Sequence, residues 1–145
     1  MKGINSVFQT GTRGKKLKKP LILVHGIAAR DNKLFWGRIP ERLSDAGVQV
    51  FPGNTDSWGG VESNAWALKS TIDKVLELCD SEKVNLIAHS KGGIDCRFLI
   101  SSLGYGSKIA SLTTLCTPHL GSEIVDFIFD KKYMHTRLVR KLTYN

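Results

Sequence analysis

From Pro20 to Phe129 short apolar runs alternate with stretches of helical period, and this alternation limits the fold more than any other feature of the chain. "PLILVHG" (20–26) is apolar and partly β-branched, bounded by Pro20 and Gly26, and short enough for a buried strand. "LFWGRIPERLSDA" (34–46) places Leu34, Phe35, Ile39 and Leu43 at helical spacing. Pro40 puts the start of regular helix near Ile39, and Gly47 is its expected stop. "VQVF" (48–51) reads as a second strand and "PGNTDSWGG" (52–60) as a loop of turn residues. The strongest helix signal is "ESNAWALKSTIDKVLELCD" (62–80). Ala65, Leu68, Ile72, Val75, Leu76 and Cys79 fall on one face, Lys69, Asp73, Lys74 and Glu77 on the other, and Ser63 or Asn64 is the expected cap. A strand "VNLIAH" (84–89), a helix "GGIDCRFLISSL" (92–103) and a strand "IASLTTLCT" (109–117) ending at Pro118 follow. A last amphipathic helix is expected from Ser122, carrying Ile124, Val125, Phe127, Ile128 and Phe129.

Such alternation implies an α/β fold: a parallel sheet of about four strands with helices on both faces. At 145 residues the chain suffices for one domain and is too short for two. Ligands of such sheets bind beyond the carboxyl ends of the strands, where strand order reverses. Two of those ends carry polar punctuation here, His25-Gly26 after the first strand and Ser90 after the third.

Ser90 stands where a strand turns abruptly into a helix. A tight strand–turn–helix needs small residues on both sides of the serine, because strand and helix approach closely. Ala88 and Gly92 meet this need, in the pattern G-x-S-x-G with alanine for the first glycine, and Gly93 allows close helix packing. The turn lifts the hydroxyl to the sheet's upper edge and sets it at a helix N-terminus. The backbone N–H of Lys91 then faces the place where an oxyanion would form, and the N–H of Ile27 is the expected second donor, with Gly26 permitting the approach.

"LILVHGI", "FWGRIPERLSDAGVQVF", "VNLIAHSKGGIDCRFL" and "TPHLGSEIVDF" occur in the order, and at about the spacing, of the bacterial triacylglycerol lipases of the α/β-hydrolase fold, which the chain resembles over residues ~20–129. The resemblance implies a serine carboxylic ester hydrolase acting on acylglycerols or other lipid esters. By it Ser90 matches the nucleophile, and Ile27 and Lys91 match the oxyanion residues. It makes the four strands the middle of an eight-stranded sheet, in spatial order second, first, third, fourth. It gives His25 a part in shaping the oxyanion loop and directs the His89 side chain away from the nucleophile. His119 falls where the family keeps a structural histidine.

Other conspicuous residues have plainer readings. His135 lies among basic residues and is expected to be solvated. Trp36, Trp58 and Trp66 are expected to pack, Trp58 being the one placed nearest a bound acyl chain. Cys79, Cys96 and Cys116 are scattered, with no CxxC, and read as buried free thiols; neither a metal nor a cofactor is expected. The net charge of +8 is concentrated in "RGKKLKK" (13–19), within a basic tail 1–19, and in 131–141. Nothing aromatic is interleaved with the first run, so no nucleic-acid partner is expected. There is no apolar signal segment, which points to the cytoplasm.

A serine needs an imidazole to take its proton and a carboxylate to orient that imidazole, which follow it in the order Asp or Glu, then His. Asp95, Asp126, Asp130 and His135 match none of the family's positions for these two groups. Residues 20–145 therefore read as the N-terminal part of a lipase-like domain, ending after the fourth strand and the next helix. Three readings follow: a truncated or split hydrolase that needs its C-terminal half, a noncatalytic module binding acyl groups or an anionic membrane through its basic surface, and a short esterase recruiting His89 or His135. Unpaired sheet edges and the stripe on the last helix imply self-association.

Overall fold

The computed structural model describes residues 19–129; the basic runs before and after them, and His135, lie outside the described residues. The sheet has four strands: β1 (Leu21–Val24), β2 (Val50–Pro52), β3 (Val84–His89) and β4 (Ile109–Leu115). All pair in parallel, in the order β2-β1-β3-β4. That is the order implied by the lipase resemblance, and it makes β1 and β3 neighbours. Leu23 and Val24 stand opposite Ile87 and Ala88, so the ends of the two strands, with His25 and Ser90 beyond them, lie side by side.

The helices are α1 (Lys33–Trp36), α2 (Ile39–Asp45), α3 (Val61–Cys79), α4 (Lys91–Ser101) and α5 (Glu123–Phe129). They cover both faces of the sheet. On one, Leu68, Ile72 and Val75 of α3 and Cys96 and Leu99 of α4 pack on Ile22, Val24, Leu86 and Ala88. On the other, Trp36 and Leu43 pack on Leu21, Leu23 and Val50. Among the described residues this second face is covered over β1 and β2, and at β3 by the packing of Ile87 on that cluster and of Phe35 against His89. Across β3 and β4 it presents Asn85, Ile87 and His89, half-buried, beside Ser111, Thr113 and Leu115, exposed.

Several local expectations are corrected. Regular helix begins at Ile39, as Pro40 implies, but Lys33–Trp36 before it form a separate short helix, set off by Gly37 at a φ of 58° that no right-handed helix accommodates. Gly47, at φ 85°, follows the stop of α2. The cap of α3 is Gly60, neither Ser63 nor Asn64. The Ser63 hydroxyl donates to the Gly60 carbonyl, and Asn64 is buried in a network described below. Trp36 is buried as expected, but Trp58 and Trp66 are 55% and 53% exposed. Of the three thiols only Cys96 is buried; Cys79 is half-buried and Cys116 exposed. Among the described residues no helix is long and apolar enough to cross a membrane.

Candidate active site

Ser90 is the pivot between β3 and α4, at φ 53° and ψ −128°. A non-glycine residue at positive φ is held there at a cost of about 1–3 kcal/mol, so its surroundings must over-determine it. They do so from three sides. The Ser90 N–H donates to the Leu115 carbonyl at 2.8 Å, and its carbonyl accepts from the Thr117 hydroxyl at 2.9 Å and the Gly93 N–H at 3.0 Å. With β1 alongside, the backbone of the turn is fully engaged. The Ser90 Oγ makes no hydrogen bond among the described residues and is half-buried at the top of the sheet.

Three glycines permit this corner. A Cβ on Gly26 would stand 2.7 Å from the Ser90 Cβ and 3.2 Å from its Oγ. One on Gly92 would overlap the His25 carbonyl oxygen and lie 2.8 Å from that of Val24. One on Gly93 would overlap the Thr117 side chain. Ala88 is fully buried against the helical face. Gly26 and Gly92 together bring the end of β1, the serine and the first turn of α4 into contact.

Lys91 opens α4, so its N–H is one of the four at that end without an intrahelical acceptor. Its side chain turns away: Nζ lies 2.8 and 2.9 Å from the two oxygens of Asp95, one helical turn on. Asn64 Nδ2 donates to the same carboxylate at 3.0 Å and to the Asp56 carbonyl at 2.9 Å, while Asn64 Oδ1 accepts the Asp56 N–H. Burial, despite these bonds, raises the Asp95 carboxyl above its ordinary range. The network binds α3, α4 and the 53–60 loop together beneath Ser90.

The loop after β1 is organised by His25, which is 3% exposed. Its Nδ1 lies 3.0 Å from the Gly26 carbonyl oxygen. A carbonyl only accepts, so this contact places a proton on Nδ1. Its Nε2 is 3.9 Å from Asp31 Oδ2, which also accepts the Asn54 N–H at 2.9 Å. Burial pushes the Asp31 carboxyl upward, against the attraction of His25 and the Asn54 bond. Ile27 follows, exposed, and then Ala28 at φ 57°. The loop bounds a cleft of about 420 Å³ lined by Ala28, Ala29, Arg30, Asn32, Leu34 and Phe35. A second cleft, of about 340 Å³, shares Ala28 and Arg30 and adds Asp56, Ser57 and Trp58. Ser90 lines neither.

Neither of the other described histidines, His89 and His119, hydrogen-bonds to the Ser90 hydroxyl. His89 meets the edge of the Phe35 ring at 5.4 Å between centroids, and its buried Nδ1 has no hydrogen-bond partner. His119 is engaged by Thr114 at Nε2 and Arg97 at Nδ1, both at 3.1 Å. Among the described residues no three potential metal ligands gather. Sequence reasoning missed Thr117, Asp31 and the Asn64–Asp95–Lys91 network. Only the Lys91–Asp95 spacing of four on a helix was a visible signal; Thr117 reaches Ser90 across 27 residues, Asp31 reaches Asn54 across 23 and Asn64 reaches Asp95 across 31.

A family model described as the alpha/beta hydrolase fold matches residues 19–138. Triacylglycerol lipase 2 of Saccharomyces cerevisiae is 37% identical over 101 residues, which are 66% of this chain and 31% of that protein. A triacylglycerol lipase of Pseudarthrobacter phenanthrenivorans is 35% identical over 118 residues, 77% of this chain and 36% of that protein. The chain thus spans about a third of the length of these curated relatives. The mature form of the Bacillus licheniformis lipase BlEst2 has the same fold, with a TM-score of 0.75 at 21% identity over 86% of this chain and 51% of that one.

Proposed function

The chain belongs to the α/β-hydrolase fold family, in its lipase/esterase type, and we propose that Ser90 is the nucleophile of a carboxylic ester hydrolase acting on acylglycerols or related lipid esters. The observation that carries this reading is the strained Ser90 backbone, φ 53° and ψ −128°, locked by Thr117, Leu115 and Gly93 with its hydroxyl left unbonded. Strain held in place at an unbonded, half-buried hydroxyl has no structural use that a glycine would not serve better.

The Ser90 oxygen adds to the ester carbonyl carbon as its proton passes to a base. The carbonyl π electrons move onto oxygen, and the N–H groups of Ile27 and Lys91 receive that charge. Each such donor is worth roughly 3–4 kcal/mol in acyl transfer. Collapse breaks the C–O bond, the alcohol leaves with the proton, and water then releases the acid by the same steps. None of the described histidines bonds to Ser90, so the base, and the carboxylate that orients it, come from outside residues 19–129.

The test is hydrolysis of p-nitrophenyl butyrate by the full chain, beside Ser90→Ala, with folding followed by circular dichroism. Turnover abolished in Ser90→Ala is the expected result. A folded chain with no Ser90-dependent turnover means that the 145 residues by themselves lack the base, as in a truncated hydrolase or a noncatalytic acyl-binding module.

A further inference from the structure

We propose that Asp31 is a positioning residue, acting through His25 on the peptide that joins Gly26 to Ile27 and thereby aiming the Ile27 N–H; this rests on the reading of that N–H as an oxyanion donor. The carbonyl of Gly26 and the N–H of Ile27 belong to one planar trans unit and point in opposite directions. His25 Nδ1 holds the carbonyl at 3.0 Å, so the N–H is turned away from the His25 ring. Donation to the carbonyl also polarises the whole unit and strengthens the N–H as a donor.

The ring must itself be held. It is 3% exposed, and its other nitrogen faces Asp31 Oδ2 at 3.9 Å, a distance at which the carboxylate acts by charge. That oxygen is anchored by the Asn54 N–H at 2.9 Å. Asp31 Oδ1 is buried with no hydrogen-bond partner, although the indole N–H of Trp36 faces the carboxylate. A buried carboxylate oxygen left unsatisfied calls for a reason. Attraction between that charge and a ring carrying a proton on each nitrogen supplies one, in a charged line from Asp31 through His25 to the Gly26–Ile27 peptide.

Asp31→Asn tests this, since the amide oxygen still accepts the Asn54 N–H while the charge is lost. In the 15N-labelled chain the Ile27 amide should move upfield, because its preceding carbonyl is less polarised, while the Asn54 amide stays in place. An unmoved Ile27 amide in a folded variant overturns the proposal. If the variant does not fold, the ring nitrogens of His25 in the unsubstituted chain decide it: both should carry a proton, and a ring with either nitrogen bare overturns it. These readouts need no turnover and so separate this proposal from the assignment of Ser90. Where Ser90-dependent hydrolysis is measured, kcat should fall about tenfold with KM within about twofold, the pattern of a lost transition-state interaction.

Discussion

The corner where β1 meets β3 and the margin formed by β4 and α5 both carry regular apolar patterns, yet they are different materials. At the corner, Val24, Ala88, Cys96 and Leu99 are fully buried, and the turn's backbone groups are bonded. At the margin Leu115 and Phe127 are 40% and 55% exposed, and Leu120 is wholly so. β4 pairs with β3 alone among the described residues, leaving one ladder edge open. Hydrophobic period reports which face of an element prefers cover. It carries no information on whether a cover is present.

The sharpest way to break this comparison uses the thiols. Cys96 lies inside the corner, where burial raises its thiol far above the ordinary range, whereas Cys116 is exposed at the end of β4. Thiol-reactive dye should therefore label Cys116 quickly and reach Cys96 only through opening of the fold, at least about 10³-fold more slowly for a domain of ordinary stability. Comparable rates in Cys96-only and Cys116-only chains would show that the corner is no tighter than the margin.

The second test alters packing. Gly92→Ala forces a Cβ against the backbone oxygens of Val24 and His25, neither of which can swing aside, and should cost about 3 kcal/mol in urea unfolding. Leu120→Ala removes a side chain already in solvent and should change stability by less than about 0.5 kcal/mol. If the two midpoints shift alike, the contrast between the regions is false.

The same contrast explains what was legible in the sequence. The four strands and the long helix α3 were readable because they follow from period and connection rules, strand order only through the lipase resemblance, and Ala88, Gly92 and Gly93 from the needs of a tight turn. The break at Gly37 was hidden because an apolar stripe at 34, 35, 39 and 43 fits one helix as well as two. Trp58 and Trp66 read as packing residues by size alone, and nothing local says that the surface under them is empty. Cys116 was misplaced because a thiol at a strand's end is buried only if something lies over the strand. The parts played by Thr117 and Asp31 arise where separate loops converge above the sheet, so no local pattern holds them.

The smallest effect, and the most discriminating of the electrostatics, sets Asp95 against Asp73. Burial beneath Lys91 and Asn64 raises the Asp95 carboxyl. Asp73, on the outer face of α3, is scarcely buried; the Tyr105 hydroxyl and Lys69 hold its carboxyl low. A raised carboxyl means that the folded state holds its proton longer than the unfolded one, so its contribution is present at low pH and lost as pH climbs above 3.8. A lowered one contributes above that value and is lost as pH falls below it. Relative to Asp95→Asn, the unsubstituted chain should thus lose stability as pH rises above 3.8, by no more than about 1.4 kcal/mol per pH unit. Relative to Asp73→Asn it should lose stability in the other direction, below 3.8, and by less, because solvent screens an exposed pair. Urea midpoints across that range give both slopes. Slopes of the same sign would mean that the carboxylate beside the Ser90 turn is no more enclosed than one on the surface of α3.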